Sequence, residues 1–284
     1  MSEIFVVSGS KGQLGSEIIS ELDARCLPYQ EIVLSDSYLV NKDLIATGCA
    51  GYDRVVFLHC AAKLWPKTIE DLRLNSDLPQ ELVEILQASG KDILFAFVSS
   101  INVIIPTLQD AYSQSKRRAE RQLSGKDVII FRPDLIWGSQ KSSKHRQRIE
   151  RAVISVFGRR VLFFPGPGHV YRPVHPTDTA RTILNCCNTE FRGTDINIIG
   201  DQPLHIYELI RKTFTRKLQI IDLTFGIEKF FPDGLQDLLL KSRHLQQVVR
   251  LDRPSFFRRP RQTKRPNIII QCSSENTWFG KFHT

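Results

Sequence analysis

The stretch that decides the fold is IFVVSGSKGQLG, residues 4–15 of a chain of 284 residues. Its apolar part predicts a strand over residues 4–8, and the residues that follow predict a helix over Gln13–Ala24. Between them Gly9, Gly12 and Gly15 recur at every third position, which permits a tight turn, close approach of the backbone to a pyrophosphate and close packing of the helix. The loop residues predicted to bind a cofactor are Gly9, Lys11, Gly12, Gln13, Leu14 and Gly15.

An ordinary strand-to-helix turn could have the same glycine spacing. The predicted strand before the loop and the predicted helix after it favour a dinucleotide site. A pyrophosphate there would lie at the positive end of the helix dipole.

Short apolar runs alternate with amphipathic stretches through the first half of the chain. Further strands are predicted over residues 31–34, 54–59, 93–99 and 128–132. Further helices are predicted over residues 78–89 and 111–123. This alternation is typical of βαβ units with right-handed crossovers, which build a parallel sheet. The sequence therefore predicts an α/β protein with a Rossmann-type doubly wound parallel sheet, which binds its ligand at the carboxyl ends of the strands.

The chain changes character after Gly138. Basic residues become frequent over residues 141–151, and residues 165–168 alternate proline with glycine. We therefore place a boundary between a dinucleotide-binding core, residues 1–138, and a smaller C-terminal substrate-binding region, residues 139–284. Later elements are expected to return to the core. They are helices over residues 176–185 and 204–214 and a strand over residues 196–199.

The composition is that of a globular protein, since 42% of the residues are hydrophobic and the chain is long enough to bury a full core. The first residues lack the basic start and long apolar run of a signal peptide, and no run of about 18 apolar residues follows. The six cysteines form no CxxC pair and the seven histidines lack ligand-like spacing, so reduced thiols and no structural metal are expected. These features predict a cytoplasmic protein without a transmembrane segment.

Positive charge is concentrated near the C-terminus. The formal net charge is +9, and residues 241–284 hold ten basic residues against Asp252 and Glu275, a local excess of +8. Within this segment residues 253–266 are rich in proline and arginine, which predicts an extended arm. Such an arm favours an anionic surface, either lipid or nucleic acid. Because no RNA-binding signature accompanies it, the sequence does not favour nucleic acid as a partner.

An acidic residue follows the second predicted strand. Asp36 lies about 20 residues beyond the glycine loop, where a carboxylate can accept from both hydroxyls of an adenosine ribose. This placement favours NAD as the cofactor. Lys11 and Lys42 could instead meet a 2′-phosphate, which keeps NADP open. An aspartate that caps a turn is the structural alternative.

Tyr112 and Lys116 stand four residues apart in a predicted helix, so their side chains share one face. A free tyrosine has a pKa near ~10. A neighbouring ammonium favours the phenolate and brings the group towards proton transfer at neutral pH. Ser99 and Ser100 end the preceding predicted strand, where a hydroxyl would reach the same pocket.

Several short motifs occur within residues 1–200, and their order along the chain is informative. After the glycine loop and Asp36 come Asp43-Leu44, His59-Cys60-Ala61-Ala62, Asn75, Val98-Ser99-Ser100, Tyr112 to Lys116, Arg132-Pro133, Trp137-Gly138 and Val174-His175-Pro176-Thr177-Asp178. With these motifs the chain resembles an extended short-chain dehydrogenase/reductase. It is similar to the NAD-dependent epimerase/dehydratase family, which acts mostly on nucleotide sugars.

The resemblance implies a role for each matching residue. Ser100 would bind the reacting sugar oxygen, and Tyr112 would be the catalytic acid/base. Lys116, also catalytic, would hold the nicotinamide ribose and lower the pKa of the tyrosine. The cofactor would also lie along Asp43, Leu44, Ala61 and Ala62, and Tyr112 would contact it as well. Hydride would pass between the nicotinamide and a ring carbon, while the protein supplies position and proton transfer.

Three departures from the family pattern narrow the reaction. Ile101 and Asn102 follow Ser100, where the 4,6-dehydratases of the family have an Asp-Glu pair for elimination, so dehydration is not expected. Leu135 stands where many members have a substrate-binding asparagine, so sugar recognition must differ in detail. The interval from Ser100 to Tyr112 is also shorter than usual.

Charge and resemblance together predict the partners. Arginines after Gly138 and near Arg172 suit a nucleotide diphosphate, because a guanidinium binds phosphate through two parallel hydrogen bonds. Arg172 is therefore a candidate substrate-binding residue. Family members often pair through the helices predicted over residues 78–89 and 111–123, which implies a homodimer. The leading prediction is a nucleotide-sugar epimerase, and a keto-sugar reductase and a non-catalytic cofactor-binding scaffold with a basic tail stay open.

Overall fold

The computed structural model describes residues 2–32, 50–64, 66–105, 108–138, 153–156, 159–164, 170–213, 218–222 and 267–272. Three predicted cofactor contacts lie outside these residues, namely Asp36, Asp43 and Leu44. The basic stretch 141–151, the segment 165–168 and the arm predicted over residues 253–266 also lie outside them.

Strands and helices alternate along the described residues. The strands are β1 (Glu3–Ser8), β2 (Tyr29–Ile32), β3 (Arg54–His59), β4 (Asp92–Val98), β5 (Val128–Pro133), β6 (Val153–Val156), β7 (Arg159–Phe164), β8 (Val170–Tyr171), β9 (Asp195–Gly200), β10 (Leu204–His205), β11 (Leu218–Asp222) and β12 (Asn267–Cys272). The helices are α1 (Gln13–Ala24), α2 (Ile69–Ser76), α3 (Leu78–Gln87), α4 (Ala111–Gln122), α5 (Pro176–Cys186) and α6 (Ile206–Thr213), with 3₁₀ turns at Ile101–Ile104 and Thr189–Phe191.

Seven of the strands form one parallel sheet in the order β12-β9-β5-β4-β3-β1-β2. The chain moves outward from β1 to β2 and then returns to the other side of β1 with β3. Doubly wound sheets bind ligands at such a reversal of strand order. The predicted Rossmann-type fold is confirmed. Smaller sheets, β11-β7-β6 and β10-β8, lie outside the main one.

Helices bury both faces of the main sheet. On one face α1 and α5 pack against the strands, with Ile18 and Ile183 fully buried. On the other face α2, α3 and α4 pack, with Leu82 and Ala119 fully buried. Because water reaches neither face, the central strands consist of consecutive apolar residues, such as residues 55–58. Within the described part of the chain, no helix has the length and apolarity needed to cross a membrane.

Most predicted elements are present. Helix α1 and strand β3 have the predicted bounds, and α4 ends one residue before the predicted end. The helix predicted from Leu204 is wrong at its start, because Leu204 and His205 pair antiparallel with Tyr171 and Val170. A pairing partner more than thirty positions earlier, as the register shows, is invisible to helical periodicity.

Two elements of the main fold were not predicted. Helix α2 is short and has few apolar residues, and it begins where Thr68 Oγ1 accepts from the Asp71 amide at 3.2 Å. Strand β12 lies in the basic C-terminal segment, whose charge dominated the prediction. It pairs with β9, with Ile268 opposite Ile196. Residues after 138 therefore complete the sheet through β9 and β12.

A buried cluster of charges joins α4 to the sheet. The Arg132 guanidinium of β5 donates to both carboxylate oxygens of Glu120, at 2.9 and 2.8 Å, and to Asp195 Oδ2 of β9 at 2.6 Å. The Arg132 and Asp195 side chains are 3% and 1% exposed. Bidentate, charge-assisted hydrogen bonds offset the cost of removing these charges from water. The cluster therefore holds in place the helix that carries Tyr112 and Lys116.

We expect Arg132→Met to lower the free energy of unfolding by about 3–5 kcal/mol, because it removes the cation from two buried carboxylates. Arg118 offers a matched control, since it pairs with Asp77 and its side chain is 58% exposed. Arg118→Met should cost less than about 1 kcal/mol. Urea denaturation of both variants measures the difference. Equal losses would contradict the prediction.

Candidate active site

The glycine loop packs against the backbone that follows β3. Gly9 has a φ of +80°, and a Cβ there would lie 2.6 Å from the Ala61 nitrogen. A Cβ on Gly15 would lie 2.1 Å from the carbonyl oxygen of Gly9. Both distances are too short for any side chain, so the first turn of α1 approaches the loop as only glycine permits. The loop and Ala61 thus form one surface at the carboxyl ends of β1 and β3.

The start of α1 has the features of an anion site. Its first turn has no acidic residue, and Gly12 at the N-cap supplies no side-chain hydrogen bond. Backbone N–H groups at a helix start lack intrahelical acceptors and favour an anion. Gln13 Nε2 is buried without a hydrogen-bond partner among the described residues. Lys11 is exposed on the same loop, whereas Leu14 packs into the core.

Ser100 and Tyr112 meet at the carboxyl end of β4. Ser100 begins the 3₁₀ turn Ile101–Ile104, and its Oγ accepts from the Asn102 amide at 3.3 Å. Tyr112 is the second residue of α4, whose N-cap is Asp110. The Ser100 hydroxyl lies close enough to the Tyr112 phenol to lower its pKa. Two groups proposed to act on the same substrate oxygen are therefore adjacent.

The surroundings of Tyr112 raise the pKa of its phenol. Burial makes the largest contribution and the Asp110 carboxylate raises the pKa further, whereas the Ser100 hydrogen bond lowers it. These effects outweigh the lowering that the Lys116 ammonium was expected to bring. The phenol is protonated at neutral pH and can donate to an oxygen placed beside Ser100.

Lys116 is fully buried in the next turn of the same helix. Its Nζ donates to the Val98 carbonyl at 2.8 Å and lies 4.4 Å from the centroid of the Phe97 ring. Burial lowers the pKa of this ammonium to about 7, against a smaller opposing effect of Cys60. Of the three N–H donors of a lysine, the described residues take one. The others suit the hydroxyls of a ribose.

The lowered pKa of Lys116 makes stability depend on pH. Native Lys116 loses its proton near pH 7, whereas a lysine of the unfolded chain keeps it up to about pH 10.4. Between these values the unfolded state binds more protons, so Lys116 makes the free energy of unfolding rise with pH, by at most about 1.4 kcal/mol per unit.

Denaturation from about pH 7 to about pH 8, where unfolded thiols are still mostly protonated, measures this rise. The variant Lys116→Met should lack it. The same pH dependence in both proteins would contradict the prediction.

Asn75, whose role the sequence analysis left unassigned, supports the segment that follows β3. It is fully buried in α2. Its Oδ1 accepts from the Lys63 amide at 2.9 Å, and its Nδ2 donates to the Lys63 carbonyl at 2.8 Å. This pair of bonds holds the backbone just beyond Ala61, which is buried, and Ala62, which is exposed. Only its place in the ordered motifs marked Asn75 in the sequence.

Buried polar atoms lie at the ends of the central strands. His59 Nδ1 and Ser8 Oγ are 2.7 Å apart, and both residues are fully buried. Burial lowers the pKa of His59 to about 3, so its ring is neutral at physiological pH. Ser99 Oγ is buried without a hydrogen-bond partner among the described residues. Unused hydrogen-bonding capacity of this kind is typical of a ligand site and rare in a packed core.

Arg172, which was predicted to bind the diphosphate of the substrate, is held by hydrogen bonds to the protein. Its Nη1 donates to the carbonyl of Asp201 at 3.0 Å and to that of Gly200 at 3.4 Å. Its amide donates to Asp134 Oδ2 at 3.0 Å. Arg172 therefore lies at the carboxyl end of β9, with one arm of its guanidinium bound to the protein backbone.

Leu135 packs into an apolar cluster. Its neighbours Trp137 and Leu209 are buried, and Leu204 and Ile206 pack against them. Helix α6 and strand β10 thus cover the position at which the family has a substrate-binding asparagine.

His175 has a structural role at the start of α5. Its Nδ1 accepts from the Thr177 amide at 3.3 Å, and its Nε2 lies 3.2 Å from the Gly138 carbonyl. Because Nδ1 accepts, Nε2 holds the proton and donates to that carbonyl. Asp178 lies in the first turn of the helix, and His175 is the cap.

Comparison with known proteins identifies the fold. No protein-family model and no curated protein matches the sequence. The UDP-glucose 4-epimerase of Thermus thermophilus, solved with NAD, has a TM-score of 0.60 at 15% identity, and the match covers 77% of this chain and 85% of that one. A short-chain dehydrogenase/reductase superfamily protein from Agrobacterium tumefaciens with bound NAD has a TM-score of 0.59 at 16% identity, covering 77% and 85%. The dTDP-4-dehydrorhamnose reductase of Bacillus anthracis, in complex with NADP, has a TM-score of 0.60 at 15% identity, covering 80% and 86%.

The chain therefore has a Rossmann fold similar to the folds of these proteins. The resemblance derived from the motifs is confirmed at the level of the fold. The similar structures include nucleotide-sugar epimerases and reductases. Over the part of the chain that is described, no three side chains of histidine, cysteine, aspartate or glutamate are grouped so as to hold a metal ion.

Proposed function

We propose that this chain is a cytoplasmic NAD(P)-dependent enzyme that transfers hydride at a carbon of a nucleotide-activated sugar, as an epimerase. The observation that carries the proposal is the placement of Ser100 and Tyr112 together at the carboxyl end of β4, where the Ser100 hydroxyl is close enough to lower the pKa of the phenol. Lys116 is buried one turn further along the same helix. A protein that only binds a cofactor has no need of two hydroxyls and an ammonium at one sheet edge. The similar structures solved with NAD or NADP support the same class.

The residues present fit a dinucleotide. The glycine loop, residues 9–15, and the first turn of α1 would hold the pyrophosphate, and Lys116 would hold the nicotinamide ribose through its remaining donors. Ala61 would lie against the cofactor. Asp36 would accept from the adenosine ribose, which favours NAD and keeps NADP as the alternative. When bound, the cofactor supplies or accepts the hydride.

The protein's own groups move the proton. An epimerase oxidises a hydroxyl first, so the phenol, which is protonated in the free protein, would have to lose its proton when the cofactor is bound. The Tyr112 phenolate would then accept the proton of the sugar hydroxyl and return a proton to the same oxygen as the carbonyl is reduced. Ser100 hydrogen-bonds the same oxygen and keeps it within reach of the phenol. The residues after Ser100, Ile101 and Asn102, have no carboxylate, so the chain lacks the acid/base pair that an elimination would require there.

A panel of UDP-, dTDP- and GDP-sugars, assayed with NAD and separately with NADH, tests the proposal. An epimerase regenerates its cofactor within each turnover, whereas a keto-sugar reductase consumes NADH or NADPH in proportion to product. Mass spectrometry of the gently purified protein identifies any retained dinucleotide, and tight retention favours the epimerase. Absence of turnover with every sugar would overturn the proposal.

A non-catalytic cofactor-binding scaffold is the second candidate, because Leu135 and Arg172 are both engaged within the protein. It predicts NAD binding without turnover. Deleting the chain from about Arg250 onward would not isolate the effect of the basic segment on partner binding, because the deletion also removes β12 from the sheet. Replacing the arginines of residues 258–261 with glutamine preserves β12. Loss of binding to anionic vesicles with NAD binding retained would favour the scaffold.

A homodimer through α3 and α4 stays a prediction.

A further inference from the structure

One side chain connects the two elements that hold the proposed catalytic hydroxyls. The Arg117 guanidinium of α4 donates to the carbonyls of Val103, at 3.1 Å, and Ile105, at 2.8 Å. It also donates to the carbonyl of Leu108. All three acceptors belong to the segment between Ser100 and α4. A single cation therefore binds the first turn of this segment and the residues that lead into the helix.

Backbone hydrogen bonds connect these acceptors to Ser100. The Val103 amide donates to the Ser100 carbonyl at 3.1 Å. The Asn102 amide donates to Ser100 Oγ at 3.3 Å. The turn that starts at Ser100 is thus one bonded unit, and Arg117 holds its far side. Since Tyr112 lies on the same helix as Arg117, the guanidinium relates the position of Ser100 to that of Tyr112.

We propose that Arg117 is a positioning residue that sets the Ser100 hydroxyl against the Tyr112 hydroxyl. The inference rests on the proposed function, which gives those two hydroxyls their role. A guanidinium is a planar fork with five donors, so it can hold three carbonyls at once, which an ammonium does poorly. Among the described residues of the short interval between Ser100 and Tyr112, the buried apolar side chains are those of Val103 and Leu108. A single arginine replaces the packing that a longer loop would supply.

A double-mutant cycle separates this role from a merely structural one. In the wild-type background Arg117→Gln is expected to lower kcat about 10-fold, because displacement of a reacting group is costly. The Kd for NAD should change less than about 2-fold, since the glycine loop is untouched. In the Ser100→Ala background the same substitution should lower kcat less than about 2-fold, because the hydroxyl that it positions is gone.

Arg118→Gln is the matched control. Arg118 is the next residue of the helix, is exposed and pairs with Asp77, so kcat should not change. Arg117→Lys should recover part of the lost kcat. Equal losses of kcat in both backgrounds, or no loss in the wild-type background, would overturn the positioning role.

The double-mutant cycle can also be measured without a substrate, by ¹⁹F spectroscopy of Tyr112. After incorporation of 3-fluorotyrosine, the ¹⁹F resonance of Tyr112, assigned by its loss in Tyr112→Phe, reports on contact with Ser100. We expect Arg117→Gln to shift this resonance in the wild-type background and to leave it in place in the Ser100→Ala background. An unmoved resonance in the first background, or equal shifts in both, would overturn the role of Arg117. The expected shift in a protein that turns over no sugar would overturn the proposed function alone. If Arg117→Gln does not fold, Arg117→Lys replaces it in the cycle.

Discussion

Tyr112→Phe is expected to lower kcat by about 10²–10⁴-fold, the contribution typical of a general acid or base. The phenylalanine ring fills the same half-buried site and removes only the hydroxyl that lies near Ser100. The Kd for NAD should change much less than kcat, by no more than about 10-fold, because the glycine loop is unaltered and at most one predicted cofactor contact is lost. Steady-state kinetics on the best sugar of the panel and calorimetric titration with NAD measure the two quantities.

Tyr52→Phe is the matched control for this prediction. Tyr52 is partly buried and packs against the core before β3, far along the strand from its carboxyl end. It should retain the wild-type kcat. A Tyr112→Phe variant with undiminished kcat would remove the tyrosine from the mechanism, and an equal loss in Tyr52→Phe would show that the assay reports on stability.

Gly15→Ala is expected to weaken NAD binding by about 100-fold, which corresponds to ~2.7 kcal/mol. The added methyl group would lie 2.1 Å from the Gly9 carbonyl oxygen. Because that oxygen belongs to backbone, either the loop or the start of α1 must move, and the N–H groups then no longer converge on one anion. Calorimetric titration with NAD measures the loss, and thermal unfolding shows whether the variant is folded.

Two further substitutions serve as comparisons for the effect of Gly15→Ala on NAD binding. A Cβ on Gly12 would lie 3.1 Å from the Gly9 carbonyl oxygen, so Gly12→Ala should weaken binding less. Ser16 is exposed in the same helix turn, and Ser16→Ala should bind NAD as the wild type does. A folded Gly15→Ala variant with wild-type affinity would show that the loop does not hold the cofactor.

Local patterns predicted the beginning of the fold well. Strand β1, the glycine turn and α1 follow one another directly. Gly9 and Gly15, whose close approach leaves no room for a side chain, belong to the same short stretch of sequence. Periodicity and glycine spacing therefore predicted α1 with its observed bounds. The same reasoning placed Tyr112 and Lys116 on one helix, since side chains four residues apart share a helix face.

Pairing over long distances escaped the sequence analysis. Strand β12 belongs to the sheet because it pairs with β9, and Asn197 Nδ2 donates to Asn267 Oδ1 across 70 residues. No local signal distinguishes its three isoleucines from an apolar stretch elsewhere in the basic segment. Arg117 likewise carries no sequence signal of its contacts, because its acceptors are backbone carbonyls of another segment.

By itself the sequence determined the strand–turn–helix start, the alternation that builds a parallel sheet and the shared helix of Tyr112 and Lys116, because each depends on neighbours along the chain. Only the tertiary structure decided how these groups ionise. Burial raises the pKa of Tyr112 and lowers that of Lys116 to about 7, and the lysine donates to the Val98 carbonyl. Desolvation and distance through space depend on segments that folding brings together, and the order of residues does not specify them.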